Sequence, residues 1–171
     1  MEMDVKFNNK SSIRKNQKAI EADFKELNEI IERILKPYSR SLDEYVKVIT
    51  EALHDINNPP STSDLDYYCM HLSTDIYWAS SISEQLGIKD DISKALYKEM
   101  YNTVRDSSEG TVADKNTLAE LSSQQEYLTN VCYSRAYKIM KAKVENAQEL
   151  LQSIKKVLSH RISEEELTRM Q

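Results

Sequence analysis

Residues 94–105, KALYKEMYNTVR, place three cations and a phenol at helical spacing. The four side chains recur at intervals of four, three and four residues, which puts them on one face of a helix: Lys94, Lys98, Tyr101 and Arg105. Lysine and arginine contact the phosphates of nucleic acids, and a tyrosine ring stacks on an unpaired base. The stripe therefore predicts a nucleic-acid contact. The alternative is a solvated helix surface.

A second mixture of tyrosines and cations follows in residues 133–143, YSRAYKIMKAK. One helix face carries the aromatic and apolar residues: Tyr133, Tyr137, Met140 and Val144. Another face carries the cations: Arg135, Lys138 and Lys141. From Arg135 to Arg161 seven Lys or Arg stand against two Glu, a local net charge of +5 in a chain whose net charge is −5. This segregation of charge favours binding to a phosphate backbone, whereas the overall acidity opposes it.

The sequence offers no arrangement typical of catalysis. It contains neither a glycine-rich phosphate loop nor a nucleophile elbow. His71 and Asp75 stand four residues apart, but no third metal ligand lies near them in sequence. Cys69 and Cys132 are isolated, which favours reduced thiols in the cytoplasm, a host cell's if a phage encodes the chain, over one disulfide. We therefore expect a protein that is not an enzyme and that has no cofactor or metal.

Length and composition predict an all-α fold built as a long-helix hairpin or bundle. The 171 residues include only two Gly and three Pro, too few for the many tight turns of a sheet protein. No stretch approaches the roughly 20 apolar residues of a membrane span, and we expect no membrane partner. The charged start, MEMDVKFNNK, does not have the pattern of a signal peptide.

Helix signals in the first third predict a pair of helices. Apolar residues at spacings of three and four indicate one helix over 13–36, which Pro37 should end. A second helix is expected over 41–56, with Ser41 as its N-cap.

The prolines of NNPPSTSD, residues 57–64, then mark the main domain boundary. We expect an N-terminal helical extension over 1–60 and a helical core over 61–171.

The remainder predicts more helices. Asp64 is expected to cap a third helix that ends at Gly87, because glycine favours the residue after a helix. A fourth helix should start at Asp90 or Asp91 and carry the basic stripe to Arg105.

A polar loop over 106–111 then leads into a long segment without Pro or Gly, from about Ala113 to about Ser159. A break near Gln124–Gln125 would divide that segment, and Ser163 with Glu166 has the form of a further capping box.

The long final segment carries a heptad pattern. Its apolar residues recur at four, three, four, three and four: Met140, Val144, Ala147, Leu151, Ile154 and Leu158. Such a seam packs one helix against another in coiled coils. We expect it to join subunits into a homo-oligomer, with the interface formed by Met140, Val144, Leu151, Ile154 and Leu158.

The order of elements over about residues 64–160 resembles phage recombination mediators of the UvsY type. The shared features are a helix with Trp78 near its end, the helix of Lys94, Leu96, Lys98 and Tyr101, a polar glycine loop, and a long final helix with an acidic start at Ala113–Lys115. The resemblance implies a non-enzymatic protein that binds single-stranded DNA and forms hexameric or heptameric rings. It also implies that the protein helps load a RecA-like recombinase onto DNA covered by single-strand binding protein. Lys94, Lys98 and Arg105 would then contact phosphates beside Tyr101.

Two other interpretations remain. The chain could be a helical structural or scaffold protein of a phage particle, with charges that are only solvated. It could also be a small adaptor that stays monomeric until a partner helix binds. Salt-sensitive binding to single-stranded DNA distinguishes the mediator from the scaffold.

Overall fold

The computed structural model describes the backbone of residues 2–170 and the side chains of residues 14–168 and Met170. Met1 and Gln171, and the side chains of residues 2–13 and Arg169, lie outside the described part. Four helices follow in chain order: α1 (Glu2–His54), α2 (Thr62–Ser107), α3 (Val112–Ser122) and α4 (Gln124–Arg169). No strand occurs in residues 2–170. The predicted all-α class is therefore confirmed.

The three long helices lie side by side with alternating direction. Thr62 at the start of α2 donates a 3.0 Å hydrogen bond to Glu165 near the end of α4, and Asn130 donates one of 3.0 Å to Asp90, so α2 and α4 are antiparallel. Ser41 of α1 contacts Asp75 of α2 at 3.3 Å. The short helix α3 packs against the C-terminal part of α2.

The core is a heptad seam between α2 and α4, with α1 laid over it. The buried side chains of α2 recur at alternating spacings of four and three: Leu65, Cys69, Leu72, Ile76, Ala79, Ser83 and Leu86. Those of α4 face them: Cys132, Ala136, Met140, Val144, Ala147, Leu151 and Ile154. The same cluster includes four residues of α1: Ile31, Leu35, Leu42 and Ile49. This interdigitation of apolar rows is the packing of a helical bundle.

The apolar seam of α4 is filled from within the chain. Met140, Val144, Leu151 and Ile154 are buried, and Leu158 packs against them half-buried. Helices α1 and α2 of the same chain contact α4 along this seam. The five residues therefore do not present the exposed face that was expected to pack against a second copy. Self-association stays a prediction, and it requires another surface.

The predicted helix end at Pro37 is wrong. α1 continues through Pro37 to His54, and Ser41 lies inside the helix rather than at an N-cap. A proline inside a helix removes one backbone hydrogen bond and costs about 3 kcal/mol. Continuous packing outweighs this cost, because buried Leu35 and Leu42 stand one heptad apart on either side of the proline.

The predicted helix end at Gly87 is also wrong. α2 runs unbroken past Gly87 and past the expected start at Asp90 or Asp91. The glycine serves close approach instead: a Cβ atom there would lie 3.3 Å from the ring of Tyr137 on α4. The two helices predicted over this region are therefore one helix.

Capping boxes fix the starts of α2 and α3. Ser61, rather than Asp64, is the N-cap of α2, and Asp64 accepts a hydrogen bond from the Ser61 backbone N–H at 2.8 Å. Thr111 and Asp114 repeat the arrangement after Gly110, whose φ of +114° is in the left-handed region. These hydrogen bonds hold the pKa of Asp64 and Asp114 below the ordinary value.

The break between α3 and α4 falls at Ser123, next to the position predicted from the sequence. Ser123 is buried, and its hydroxyl donates to the Ala119 carbonyl at 2.7 Å. No second break follows at Ser163, where α4 continues and the Ser163 hydroxyl donates to the Ser159 carbonyl.

The linker between α1 and α2 is held at the end of the bundle. Arg161 of α4 donates a hydrogen bond to the Pro60 carbonyl. Side chains from both sides of the expected domain boundary join one buried cluster, although separate unfolding of the two parts stays a prediction.

Limited proteolysis distinguishes one folding unit from two. We expect first cleavage in the exposed stretch 55–59, since its backbone is outside the helices. The two fragments should nevertheless co-elute in gel filtration, because they share the core. Fragments that elute separately and remain helical would instead establish residues 1–60 as a separable extension.

A cavity in the seam should destabilise the isolated chain. We expect Ile154→Ala to lower the free energy of unfolding by about 2–5 kcal/mol, because Ile154 is almost fully buried. The matched change Ile162→Ala on the same helix, at a partly exposed side chain, should cost much less. Urea unfolding monitored by circular dichroism gives both values. Equal small losses would mean that the seam is not core.

Tyr45 makes the stability of the fold depend on pH in the alkaline range. Its hydroxyl is buried without a hydrogen-bond partner in the described part, and burial raises the pKa of Tyr45 to about 12. The unfolded chain loses this proton near pH 10, so stability present below pH 10 falls as pH rises toward 12. Tyr45→Phe should remove this dependence and add about 1 kcal/mol at neutral pH. An unchanged alkaline profile in thermal melts would contradict this assignment.

Candidate nucleic-acid interface

The first basic stripe lies on the C-terminal half of α2. Lys94 and Lys98 are exposed, and neither makes an ion pair within residues 14–168. Tyr101 and Arg105 are partly covered. Arg105 also donates to the carboxylate of Asp106 at 3.1 Å. The stripe therefore offers two free ammonium groups and one guanidinium whose charge is already compensated.

Tyr101 belongs to a cluster of three tyrosines. Its ring centroid lies 6.3 Å from that of Tyr97, which lies 5.5 Å from that of Tyr127 on α4. Offset aromatic contacts at these distances are favourable. Tyr97 provides the contact to α4, and Tyr101 and Tyr97 are both half-buried, whereas Tyr127 is exposed.

The second basic stripe lies on α4, and all three of its cations are exposed: Arg135, Lys138 and Lys141. Two other cations of this helix are engaged elsewhere. Lys143 contacts Asp43 of α1 at 2.6 Å, and Arg161 holds the linker carbonyl. The positive charge available from α4 is therefore smaller than its sequence suggests.

Heptad positions place the free cations on the same side of the bundle. Gly87 faces Tyr137 of α4, and Lys94 and Tyr101 follow it at intervals of seven residues. Helix α1 instead meets α2 at Asp75 and Lys89. These two residues are separated by two heptads, so they share one side of α2, and it is not the side of Gly87, Lys94 and Tyr101. Lys94 and Lys98 therefore border the α2–α4 groove on the face turned away from α1.

The cations of α4 lie along the same groove, nearer to the start of α2 than Lys94. Lys141 lies one helical turn beyond Tyr137, on the flank toward α2, with Lys138 and Arg135 further outward. Tyr137 of α4 lies beside Gly87 of α2. Because the two helices are antiparallel, Lys141 lies beside a residue about 15 positions before Lys98. The two cations are therefore about 22 Å apart along the helix axes.

Acidic residues interrupt the face. Glu84 and Asp91 share the heptad line of Lys98 and Arg105, and Glu145 follows Lys138 by seven residues. Carboxylates therefore lie among the cations along this face, including at the level of Lys141. Such a surface attracts phosphates only locally, so a single copy would bind nucleic acid weakly.

The described residues offer little for other chemistry. No group of three metal-binding side chains occurs among them. The His71 ring lies 4.2 Å, centroid to centroid, from Tyr67, while Asp75 accepts a hydrogen bond from Ser41, so the pair considered as metal ligands has other contacts. The thiols of Cys69 and Cys132 are both buried, and burial raises the pKa of each. No helix in the described part is long and apolar enough to cross a membrane.

Sequence reasoning missed the pairing of Lys143 with Asp43. The two residues are separated by 100 positions, and no local pattern links them. The contact between Arg105 and Asp106 could have been foreseen, because adjacent opposite charges are visible in the sequence.

Comparisons of the chain with protein-family models, curated proteins and solved structures give no match. The resemblance to UvsY-type mediators therefore rests on the sequence alone. The structure changes one of its shared features, because Trp78 lies in the middle of α2, in the same helix as Lys94 and Tyr101, rather than near a helix end.

Proposed function

We propose that this chain is a non-enzymatic protein that binds single-stranded DNA and acts as a recombination mediator. In this role it would help load a RecA-like recombinase onto DNA covered by single-strand binding protein. The observation that supports the proposal most is a set of five exposed cations without ion pairs in the described part: Lys94, Lys98, Arg135, Lys138 and Lys141. They lie on two adjacent helices, on the side away from α1.

The energetics of phosphate binding agree with a weak site in each copy. Each neutralised phosphate changes the salt slope on single strands by about 0.7, so few contacts give modest affinity. A homo-oligomer would repeat the site, and linked sites raise avidity by roughly 10²–10⁴-fold. An acidic chain could then bind DNA through a local surface. Tyr101, which is half-buried beside these cations, would add stacking on a base.

The recombinase and the single-strand binding protein are proposed as partners only because of the resemblance to the UvsY type. The proposal for DNA binding stands on the exposed cations, whereas the role as mediator depends on the resemblance of the sequence to the UvsY type. Measurements of DNA binding test the first part, and assays of recombinase loading test the second.

Removal of three cations should abolish most of the DNA binding. We expect the triple variant Lys94→Ala, Lys98→Ala, Lys141→Ala to lose affinity for a single-stranded oligonucleotide and to lower the salt slope by about 2. The matched control is Lys18→Ala, Lys25→Ala, Lys36→Ala, which removes the same charge from exposed positions on α1. Fluorescence anisotropy at several salt concentrations measures both variants.

The control separates a local site from the effect of net charge. Equal losses in both triple variants would mean that only the total charge matters. Unchanged binding in the α2–α4 variant would mean that its cations are merely solvated, and the proposal would fail.

A helical scaffold protein without a nucleic-acid role is the second candidate. It is favoured by the net charge of −5 and by the large apolar side chains that α2 leaves exposed. A parent protein that shows no salt-sensitive binding to single-stranded DNA would support this candidate.

A further inference from the structure

Helix α2 leaves a second apolar face uncovered. Six large side chains along it are more than half exposed: Tyr67, Met70, Tyr77, Trp78, Ile88 and Ile92. Tyr77 is 69% and Trp78 is 62% exposed, and their rings meet edge to face with centroids 5.4 Å apart. Large aromatic residues at this exposure are typical of interaction surfaces.

The uncovered face has its own heptad pattern. Positions at alternating spacings of four and three run along the back of the helix, opposite the buried seam: Tyr67, His71, Thr74, Trp78, Ser81, Gln85, Ile88 and Ile92. Residues 76–83, IYWASSIS, contain no charge. The small side chain of Ser81, which is exposed on this face, leaves room for a second helix to approach closely. Four of these eight positions carry large apolar side chains, namely Tyr67, Trp78, Ile88 and Ile92, and they are the positions at which a second helix would be packed.

The size of this face fits a dimer interface. Half-exposed aromatic and large aliphatic side chains each offer roughly 100 Å², so the six provide about 600 Å² of apolar surface. The largest apolar patch of a typical monomer is about 300–600 Å². A standard interface buries about 800 Å² on each partner, of which about two thirds is apolar in homodimers. The six side chains therefore match the apolar area that one partner contributes to a standard homodimer interface.

We propose that a second copy of this chain packs its α2 antiparallel against this face, about a two-fold axis between Ala79 and Ser80. In that register each larger side chain opposes a smaller or more flexible one: Trp78 with Ser81, Thr74 with Gln85, His71 with Ile88, and Tyr67 with Ile92. A two-fold interface requires such self-complementarity, because every contact occurs twice. This dimer does not depend on DNA binding and uses a surface other than the buried α4 seam.

A groove between α1 and the α3–α4 junction is the rival docking surface. It has a volume of ≈ 970 Å³ and is lined by apolar side chains that include Leu27, Leu121 and Leu128. Asp23 and Glu26 also line it, so its surface is not self-complementary as the α2 face is. The back of α2 is therefore the better surface for an identical partner.

The first experiment measures mass in solution. Sedimentation equilibrium at micromolar concentration should give the parent twice the 19.8 kDa of one chain. Trp78→Glu should raise the dimer Kd at least about 100-fold, since the charge enters both halves of the interface. Its helix content and melting temperature at low concentration should stay those of the parent, because Trp78 is exposed in the monomer. The matched control is Leu121→Glu, at an equally exposed leucine in the rival groove.

Each outcome of that measurement is decisive. Loss of the dimer in the Trp78 variant alone supports the proposal. A monomeric parent, a dimer that survives in the Trp78 variant, or a dimer lost in the Leu121 variant overturns it.

The second experiment tests the register. Thr74→Cys and Gln85→Cys should each stay uncross-linked alone under mild oxidation, whereas a 1:1 mixture should form a covalent dimer, because the antiparallel register brings position 74 against position 85. Cross-linking of Thr74→Cys with itself would indicate parallel helices. That result, or no cross-link in the mixture, would contradict the proposed geometry.

Discussion

The packing of α2 against α4 is the interaction on which the other elements depend. Its apolar rows interlock over most of both helices, and α1 then covers the groove that the pair forms. The two helices approach closely at Gly87, where an added Cβ atom would lie 3.3 Å from the ring of Tyr137. The linker is fixed by the same pair, because Arg161 of α4 holds Pro60 just before α2 begins. The positions of the basic residues on both helices therefore follow from this one seam.

On α4, periodicity predicted which residues are buried, but it did not predict what buries them. On α1 and α2 it also marked side chains that are exposed, such as Ile20, Phe24 and Trp78. The seam from Met140 to Ile154 is apolar, as expected, but it is filled by the chain's own helices. A heptad pattern indicates only that a helix packs against another helix. It does not show whether that helix belongs to the same chain, since both cases require the same spacing. The all-α class could be predicted because a low content of Gly and Pro, and long runs of apolar residues at spacings of three and four, are properties of the chain itself.

Local signals misled at Pro37 and Gly87 because packing outweighed them. A proline and a glycine each lower helix stability by about 1–3 kcal/mol, which a buried heptad on both sides can offset. Gly87 is retained inside the helix for the space that it gives to Tyr137. The capping boxes at Ser61 and Thr111 involve only neighbours, so such ends can be recognised when the loop before them is clear. The pairing of Lys143 with Asp43 could be found only in three dimensions.

A dimer formed through the aromatic face of α2 would determine how far apart the basic stripes of the two copies lie. In an antiparallel pair about the axis between Ala79 and Ser80, the stripes at Lys94–Lys98 of the two copies would lie at opposite ends, about 50 Å apart along the helix axis. Such a dimer cannot hold both stripes against one short strand. A strand long enough to span them would gain avidity, whereas a shorter one would bind each copy separately. Loss of the dimer would then weaken binding to long strands while leaving the affinity for short strands unchanged. The dependence of affinity on strand length would therefore separate the contribution of the aromatic face from that of the basic one.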